Sequence, residues 1–323
     1  MADTRKIIAV VGATGAQGGG LVRGILADPS GGFTARALTR DVHSSQAQEL
    51  ARLGAEVVHA DLDDPPTVAR AFEGAYGAYC VTFYWAHFSP EREQANARTM
   101  AEAAKAAKVQ HVIWSTLEDT RRWVPVSDNR MPTLMGNYKV PHFDAKGDSD
   151  HFFTDLGVPV TFLLTSFYWD NLYMFGMGPK RGPDGKYAFT IPMGDKKLPG
   201  IAAEDIGKAA LGIFKRPRDY IGKTVAIAGE HLSGKEMAAE LTKALGVPVH
   251  YNAVDHDTFR GFGFPGADDL GNMFQFKHDF ECVPGPARRR DRARPRSGSS
   301  DLRPVSLAQQ REDLARLGGI CRR

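Results

Sequence analysis

The chain has 323 residues, 42% of them apolar and 24% charged, with a formal net charge of +3. These values are ordinary for a folded globular chain and exclude one that is disordered throughout, and the length allows one large core or two modest ones. No apolar run approaches the roughly 18 residues that span a bilayer, and the apolar opening "KIIAVVGATG" is too short for the apolar region of a signal peptide. A cytosolic protein without membrane contact is expected. Cys80, Cys282 and Cys321 are few, odd in number and scattered, which implies neither a disulfide framework nor a metal site.

"RKIIAVVGATGAQGGGLVRGILAD" predicts a strand, a glycine turn and an amphipathic helix with Leu21, Ile25 and Leu26 on one side. "FTARALTR" predicts a second strand ending at Arg40, "QAQELARLG" a helix closed by Gly54, and "AEVVHADLDD" a third strand. "PPTVARAFEGA" carries proline in its first helical turn, and "YGAYCVTFYW" follows as a fourth strand. "EREQANARTMAEAAKAAKV" is the longest clear helix, and "HVIWSTLED" is a fifth strand. A helix opens near His142, and "VPVTFLLTSFYWDNL" is a sixth strand running into a loop. Strand and helix alternate, and the strands are apolar enough to be covered on both faces. The fold class is therefore α/β with a doubly wound parallel sheet.

Beyond that point "GPKRGPDGKYAFTIPMGDKKLPGI" is rich in Gly and Pro with short β-like pieces, and "AAEDIGKAALGIFKRP" is a helix. "SGKEMAAELTKALG" is another, with Ser233 as N-cap, Glu236 completing a capping box and Gly246 closing it. The expected organisation is a dinucleotide-binding domain over 1–163, a smaller C-terminal α+β domain over 164–281 that interleaves with the sheet, and a tail over 282–323. Residues 281–323 hold eleven Arg against five acidic residues, so the positive excess lies there. The tail lacks apolar periodicity and reads as disordered. A reading-frame change is one account of it. A basic arm for nucleic acid or an acidic partner is another, less favoured than a plainly solvated tail.

The loop Gly12, Ala13, Thr14, Gly15, Ala16, Gln17 and Gly18 has G-x-x-G-x-x-G spacing between a strand and a helix. Such a loop turns tightly and brings backbone N–H groups and a helix N-terminus against a pyrophosphate. The alternative is a plain structural turn. Arg40 at the second strand's end has the planar donor fork to pair with a 2′-phosphate, which favours NADP(H) over NAD(H). A solvated arginine is the alternative, and the adjacent Asp41 pulls the other way. Asp61 and Leu62, ending the third strand, would lie beside the adenine, or Asp61 could serve as a turn residue. Thr82 and Phe83, ending the fourth, would line the dinucleotide's path or simply pack the sheet edge.

With this loop, the "LTR" strand end, the "HFDAKG" helix start and the later "GFPGADDLGNMFQF", the chain resembles the NmrA-like family, a branch of atypical short-chain dehydrogenases/reductases. The similarity is closest to its NADPH-sensing subgroup and covers about residues 5–280. The resemblance implies a Rossmann-type sheet, a small C-terminal domain, NADP(H) preference and regulation through protein partners, with a homodimer as a family expectation. It also implies that Gly12 to Gln17, Arg40, Asp61, Leu62, Thr82, Phe83 and Tyr84 hold the adenine half and pyrophosphate. Lys146 and Tyr168, Trp169, Asp170 and Asn171 would lie near the nicotinamide ribose.

A reductase of this type places a tyrosine four residues before the lysine, and here that position is His142. Spacing of four puts His142 and Lys146 on one helix face, and an imidazole can donate a proton near neutrality. Against a catalytic His142 stands its place at the helix start after Pro141, where it could be a polar surface residue. Tyr138 lies before the proline, off the helix register. Lys146 reads as a ligand of ribose hydroxyls, with a solvated lysine as the alternative. Ser115 and Thr116 end the fifth strand where a substrate-polarising hydroxyl would sit, or they form a turn. The sequence thus favours an NADP(H)-binding regulatory protein that responds to the NADPH/NADP ratio. The runner-up is an NADPH-dependent oxidoreductase of quinones or other small carbonyl compounds.

Overall fold

A computed structural model describes residues 5–280; the basic tail lies outside them. In chain order the first elements are β1 (Lys6–Val10), α1 (Ala16–Leu26), β2 (Phe33–Thr39), α2 (Ser45–Arg52), β3 (Glu56–His59), α3 (Pro65–Phe72) and β4 (Gly77–Cys80). There follow α4 (Pro90–Ala106), β5 (His111–Thr116), α5 (Pro141–Asp148), α6 (Asp150–Asp155), β6 (Val160–Leu164), β7 (Phe167–Tyr168), α7 (Asn171–Met174), β8 (Lys180–Arg181) and β9 (Tyr187–Ile191). The remainder is β10 (Lys197–Ile201), α8 (Ala203–Phe214), α9 (Pro217–Tyr220), β11 (Thr224–Ala226), β12 (Glu230–Ser233), α10 (Gly234–Leu245), β13 (Val249–Ala253), α11 (His256–Arg260) and α12 (Ala267–Asp279).

Among the described residues the chain forms two compact units, and it passes between them repeatedly. The first comprises 5–119, 141–165 and 203–226, the second 120–140, 166–202 and 227–280. The first unit is a seven-stranded sheet of order β11-β6-β5-β4-β1-β2-β3. Every pairing in it is parallel. Its centre is apolar because it must be: β4 and β5 are buried along their whole length, and Trp114 stacks on Phe153 beneath them. The chain order reverses between β1 and β4, and a crevice opens at the C-terminal ends of strands at such a switch point.

Two features of this unit were not legible as elements in sequence. The short strand β11 returns from far along the chain to pair with β6, so the sheet has one strand more than the six that alternation suggests. The fourth strand also ends early, at Cys80, and Tyr84–Ala86 turn as a 3-10 helix before Ser89 caps α4.

Helices α1 and α8 pack so closely that side chains are excluded at the crossing. A Cβ on Gly20 would lie 2.5 Å from the Glu204 carbonyl oxygen, and one on Gly207 would lie 2.1 Å from the Leu21 nitrogen. Ala normally favours a helix interior over Gly by about 1 kcal/mol, so glycine here answers to packing.

The second unit carries two three-stranded sheets, β12-β10-β7 and β13-β9-β8, each with one parallel and one antiparallel pairing. The capping box of α10 forms as expected: Ser233 Oγ accepts from the Glu236 N–H, Glu236 accepts from the Ser233 N–H, and Gly246 closes the helix in the left-handed conformation. In the motif "GFPGADDLGNMFQF", Gly266 is left-handed before α12. The buried Asn272 of α12 donates to the carbonyls of Pro132 and Lys139 and accepts from Arg260 Nε. The motif therefore ties a helix to the 128–139 loop. No helix among the described residues is long and apolar enough to cross a membrane.

The α1–α8 crossing gives a test of opposite sign to helix propensity. Gly207→Ala should destabilise the protein by about 1–3 kcal/mol through overpacking against backbone. Urea unfolding checks this, and a gain in stability would show that the crossing yields.

Candidate dinucleotide site

The glycine loop leaves β1 at the switch point. Gly12 has φ +66°, a conformation that favours glycine, and the Gly15 N–H donates to its carbonyl at 2.9 Å. A Cβ on Gly18 would lie 2.4 Å from the Gly12 oxygen, so the helix can begin this close to the turn only with glycine there. Gly12, Thr14, Gly15 and Ala16 are exposed while Ala13 is buried. No side chain caps α1, and its first turn holds no acidic residue. The result is an open helix N-terminus shaped for an anion.

Gln17 does not point outward. Its side-chain oxygen accepts from the Tyr79 hydroxyl and from Ser115 Oγ, the latter at 2.8 Å, so it ties the loop to β4 and β5. The Ser115 hydroxyl, a candidate for polarising a substrate, is thereby buried and bonded to the loop. Thr116 Oγ1 donates to Asp150 at 2.7 Å, beside the Trp114 indole N–H at 2.9 Å. At the end of β2, Arg40 is exposed, and the Asp41 carboxylate accepts from the His43 N–H at 2.8 Å, within its own turn. Asp61 and Leu62 are half-buried, and Asp61 accepts from the Asp63 N–H at 3.1 Å.

Beyond β4 lies a group of side chains that the sequence reading did not bring together. Glu93, in the first turn of α4, is 0% exposed. Its Oε1 takes a hydrogen bond from Thr82 Oγ1 at 2.5 Å and pairs with Lys146 Nζ at 2.7 Å. Its Oε2 lies 3.3 Å from His87 Nε2, without a well-directed hydrogen bond. Lys146 also donates to the Thr82 hydroxyl and, at 3.2 Å, to the Thr82 carbonyl. Those three oxygens match the three protons of an ammonium. Burial alone drives the Glu93 carboxyl upward, but the Lys146 ammonium, His87 and the Thr82 hydroxyl reverse this and hold it at about 2.

The signal was present in the sequence: Glu93 shares a helical stripe with Ala97, Met100, Ala101 and Ala104, all buried. A carboxylate in such a stripe requires a buried partner.

His142 begins α5 as expected but is not a surface residue: it is 6% exposed. Its ring lies 4.7 Å from that of Trp85 and 6.0 Å from that of Tyr84. Lys146 is likewise buried rather than solvated. Thr82 and Tyr84 are buried, whereas Phe83 is 56% exposed. Tyr168, Trp169, Asp170 and Asn171 belong to the second unit. There Trp169 is fully buried against Gly200, Asp170 accepts from the Tyr173 hydroxyl, and Tyr168 and Asn171 are half-buried. No cluster of metal-ligating side chains occurs among the described residues.

The profile of the NmrA-like family matches residues 4–297. The NmrA-like family domain-containing oxidoreductase FrzB of Cladobotryum sp is 29% identical over 283 residues, which are 84% of this chain and 83% of that protein. The crystal structure of NmrA, a negative transcriptional regulator, in complex with NADP is 26% identical and superposes with a TM-score of 0.71, covering 96% of this chain and 91% of that one. Its complex with NAD, also 26% identical, gives 0.73 over 98% and 96%.

The buried pair makes a pH-dependent prediction. The Glu93 carboxyl titrates lower in the folded chain, at about 2, than the roughly 4.3 of an unfolded glutamate. Its stabilisation is therefore complete above the unfolded value and is lost as pH falls towards the folded one. Glu93→Gln leaves Lys146 buried without its counter-charge, a cost of about 3–5 kcal/mol at neutral pH. Because protonated Glu93 resembles Gln, the gap to wild type should narrow as pH falls from about 5 towards 2. Denaturant midpoints across that range measure it, and a gap constant with pH would refute the ionised pair.

Proposed function

The chain belongs to the NmrA-like family, and from that membership we propose that it is an NAD(P)-binding regulatory protein, with preference for NADP(H), that reports the NADPH/NADP ratio to protein partners. The carrying observation is the glycine cradle at the switch point, closed to any Cβ at Gly18 and open at an uncapped helix N-terminus. Relatives of this fold are known in complex with NADP and with NAD.

In this reading the backbone from Gly12 to Gly18 holds the pyrophosphate, and Asp61, Leu62, Thr82, Phe83 and Tyr84 border the adenine half. Arg40 supplies the donor fork for a 2′-phosphate, while Asp41, engaged in its own turn, competes little for a ribose hydroxyl. Lys146 is a positioning residue for Thr82 in the first instance. Contact with ribose would require it to exchange a partner, the Thr82 carbonyl being the most distant.

Regulation is favoured over reduction because the groups that would assist a carbonyl are committed elsewhere: Lys146 to Glu93 and Thr82, and Ser115 to Gln17. The reductase reading retains one specific support, the spacing of four between His142 and Lys146, and FrzB is named an oxidoreductase.

Titration of the purified protein with NADPH and NADH, followed by tryptophan fluorescence, tests the cofactor reading. NADPH should bind more tightly, and Arg40→Ala should erase most of the difference, roughly tenfold or more for a charge-assisted contact. Gly18→Ala should weaken both dinucleotides, and equal binding of NADPH and NADH by wild type would remove the Arg40 assignment. Substrate-dependent NADPH oxidation abolished by His142→Ala would replace the regulatory reading with the reductase one.

A further inference from the structure

One carboxylate fastens the segment after β4 at two points. Glu93 accepts from the Thr82 hydroxyl through Oε1 and faces the His87 imidazole through Oε2. The stretch between is turned by His87 N–H and Phe88 N–H donating to the Tyr84 carbonyl, and Ser89 then caps α4. The rings of Tyr84, Trp85 and Phe88 are therefore mounted on a stiff support.

Tyr84 and His142 are buried and form the floor, with the Trp85 ring 5.4 Å from Tyr84 and 4.7 Å from His142. Phe88 stands edge-on to Trp85, 5.6 Å away at an interplanar angle of 76°. Trp85 is only half-buried and Phe88 is 38% exposed. Phe88 also adopts φ +54°, the left-handed region that a bulky side chain enters only at an energetic cost. The ring packs edge-on against Tyr84 and Trp85 on one side and stays open to solvent on the other, so a strained backbone holds an aromatic ring within a ligand's reach.

We infer that Trp85 and Phe88 form a binding face for a flat, uncharged aromatic ring system. The ligand lies on one ring and meets the other edge to face, the arrangement that aromatic quadrupoles favour. An uncharged ligand fits because the charges behind the face, Glu93 and Lys146, already neutralise each other. The face lies at the C-terminal end of β4, on the sheet edge that bears the glycine loop.

The test uses the full chain without dinucleotide, so that its outcome is independent of the cofactor reading. Calorimetric titration with 2-naphthol, which is flat and neutral, should show binding that Trp85→Ala weakens roughly tenfold. The saturated analogue decahydro-2-naphthol should bind more weakly than the aromatic probe. Phe88→Gly should also weaken 2-naphthol binding, while glycine's ease in the left-handed backbone offsets part of the packing lost against Tyr84 and Trp85. A ring kept only for packing would lower the melting point and leave binding unchanged. That result, or 2-naphthol binding indifferent to Trp85→Ala, or equal binding of the saturated analogue, would overturn the inference.

Discussion

The arrangement around the candidate site depends on one buried carboxylate. Glu93 sits on the inner face of α4, and full removal from water makes its charge untenable alone. It is kept ionised by Lys146 from α5 and by Thr82 and His87 on either side of the turn that follows β4. Three pieces of chain are thereby held in one geometry. Apolar packing tolerates sliding, whereas a buried ion pair with matched donors does not. The position of the His142–Lys146 helix face relative to the sheet edge follows from that constraint.

A second constraint is steric. Helix α1 contains glycine at 18, 19, 20 and 24, a composition that helix propensity disfavours strongly. It forms because each approach is worth more than the lost propensity: Gly18 lets the helix start against the Gly12 turn, and Gly20 lets it cross α8 through Gly207. The same compactness brings the helix N-terminus to the loop and keeps it bare of side chains, so the packing rule and the anion-binding geometry have one cause.

These two constraints explain what could be read from the sequence. Alternating apolar strands and helices reported the doubly wound sheet, because periodicity is local and each strand carries its own burial pattern. The capping box at Ser233 was legible for the same reason, since all its atoms lie within one turn. The short strand β11 was not, because three residues carry no period and the partner β6 is about sixty residues away in sequence. Glu93 escaped notice amid a charged, alanine-rich helix, although its place in the buried stripe marked it. Lys146 was read as a ligand of ribose hydroxyls, and its pairing with Glu93 was not legible, because sequence spacing shows which face a residue occupies and not which buried group waits there. Ser115 and Gln17, nearly a hundred positions apart, could be joined only by the fold.

The commitment of protons bears on how such a site could work. A carbonyl reductase needs a donor whose proton is available at the substrate and replaceable afterwards. Lys146 faces three oxygens already, and moving it would uncover Glu93 in an apolar interior. The Ser115 hydroxyl serves the glycine loop, so drawing it to a substrate would loosen that loop. Chemistry would therefore compete with these contacts at both points. For a sensor the same couplings are an advantage. A ligand that pulls on Lys146 or on the loop also pulls on Glu93, β4 and β5, and a shift between two conformations requires that a ligand interact differently with each.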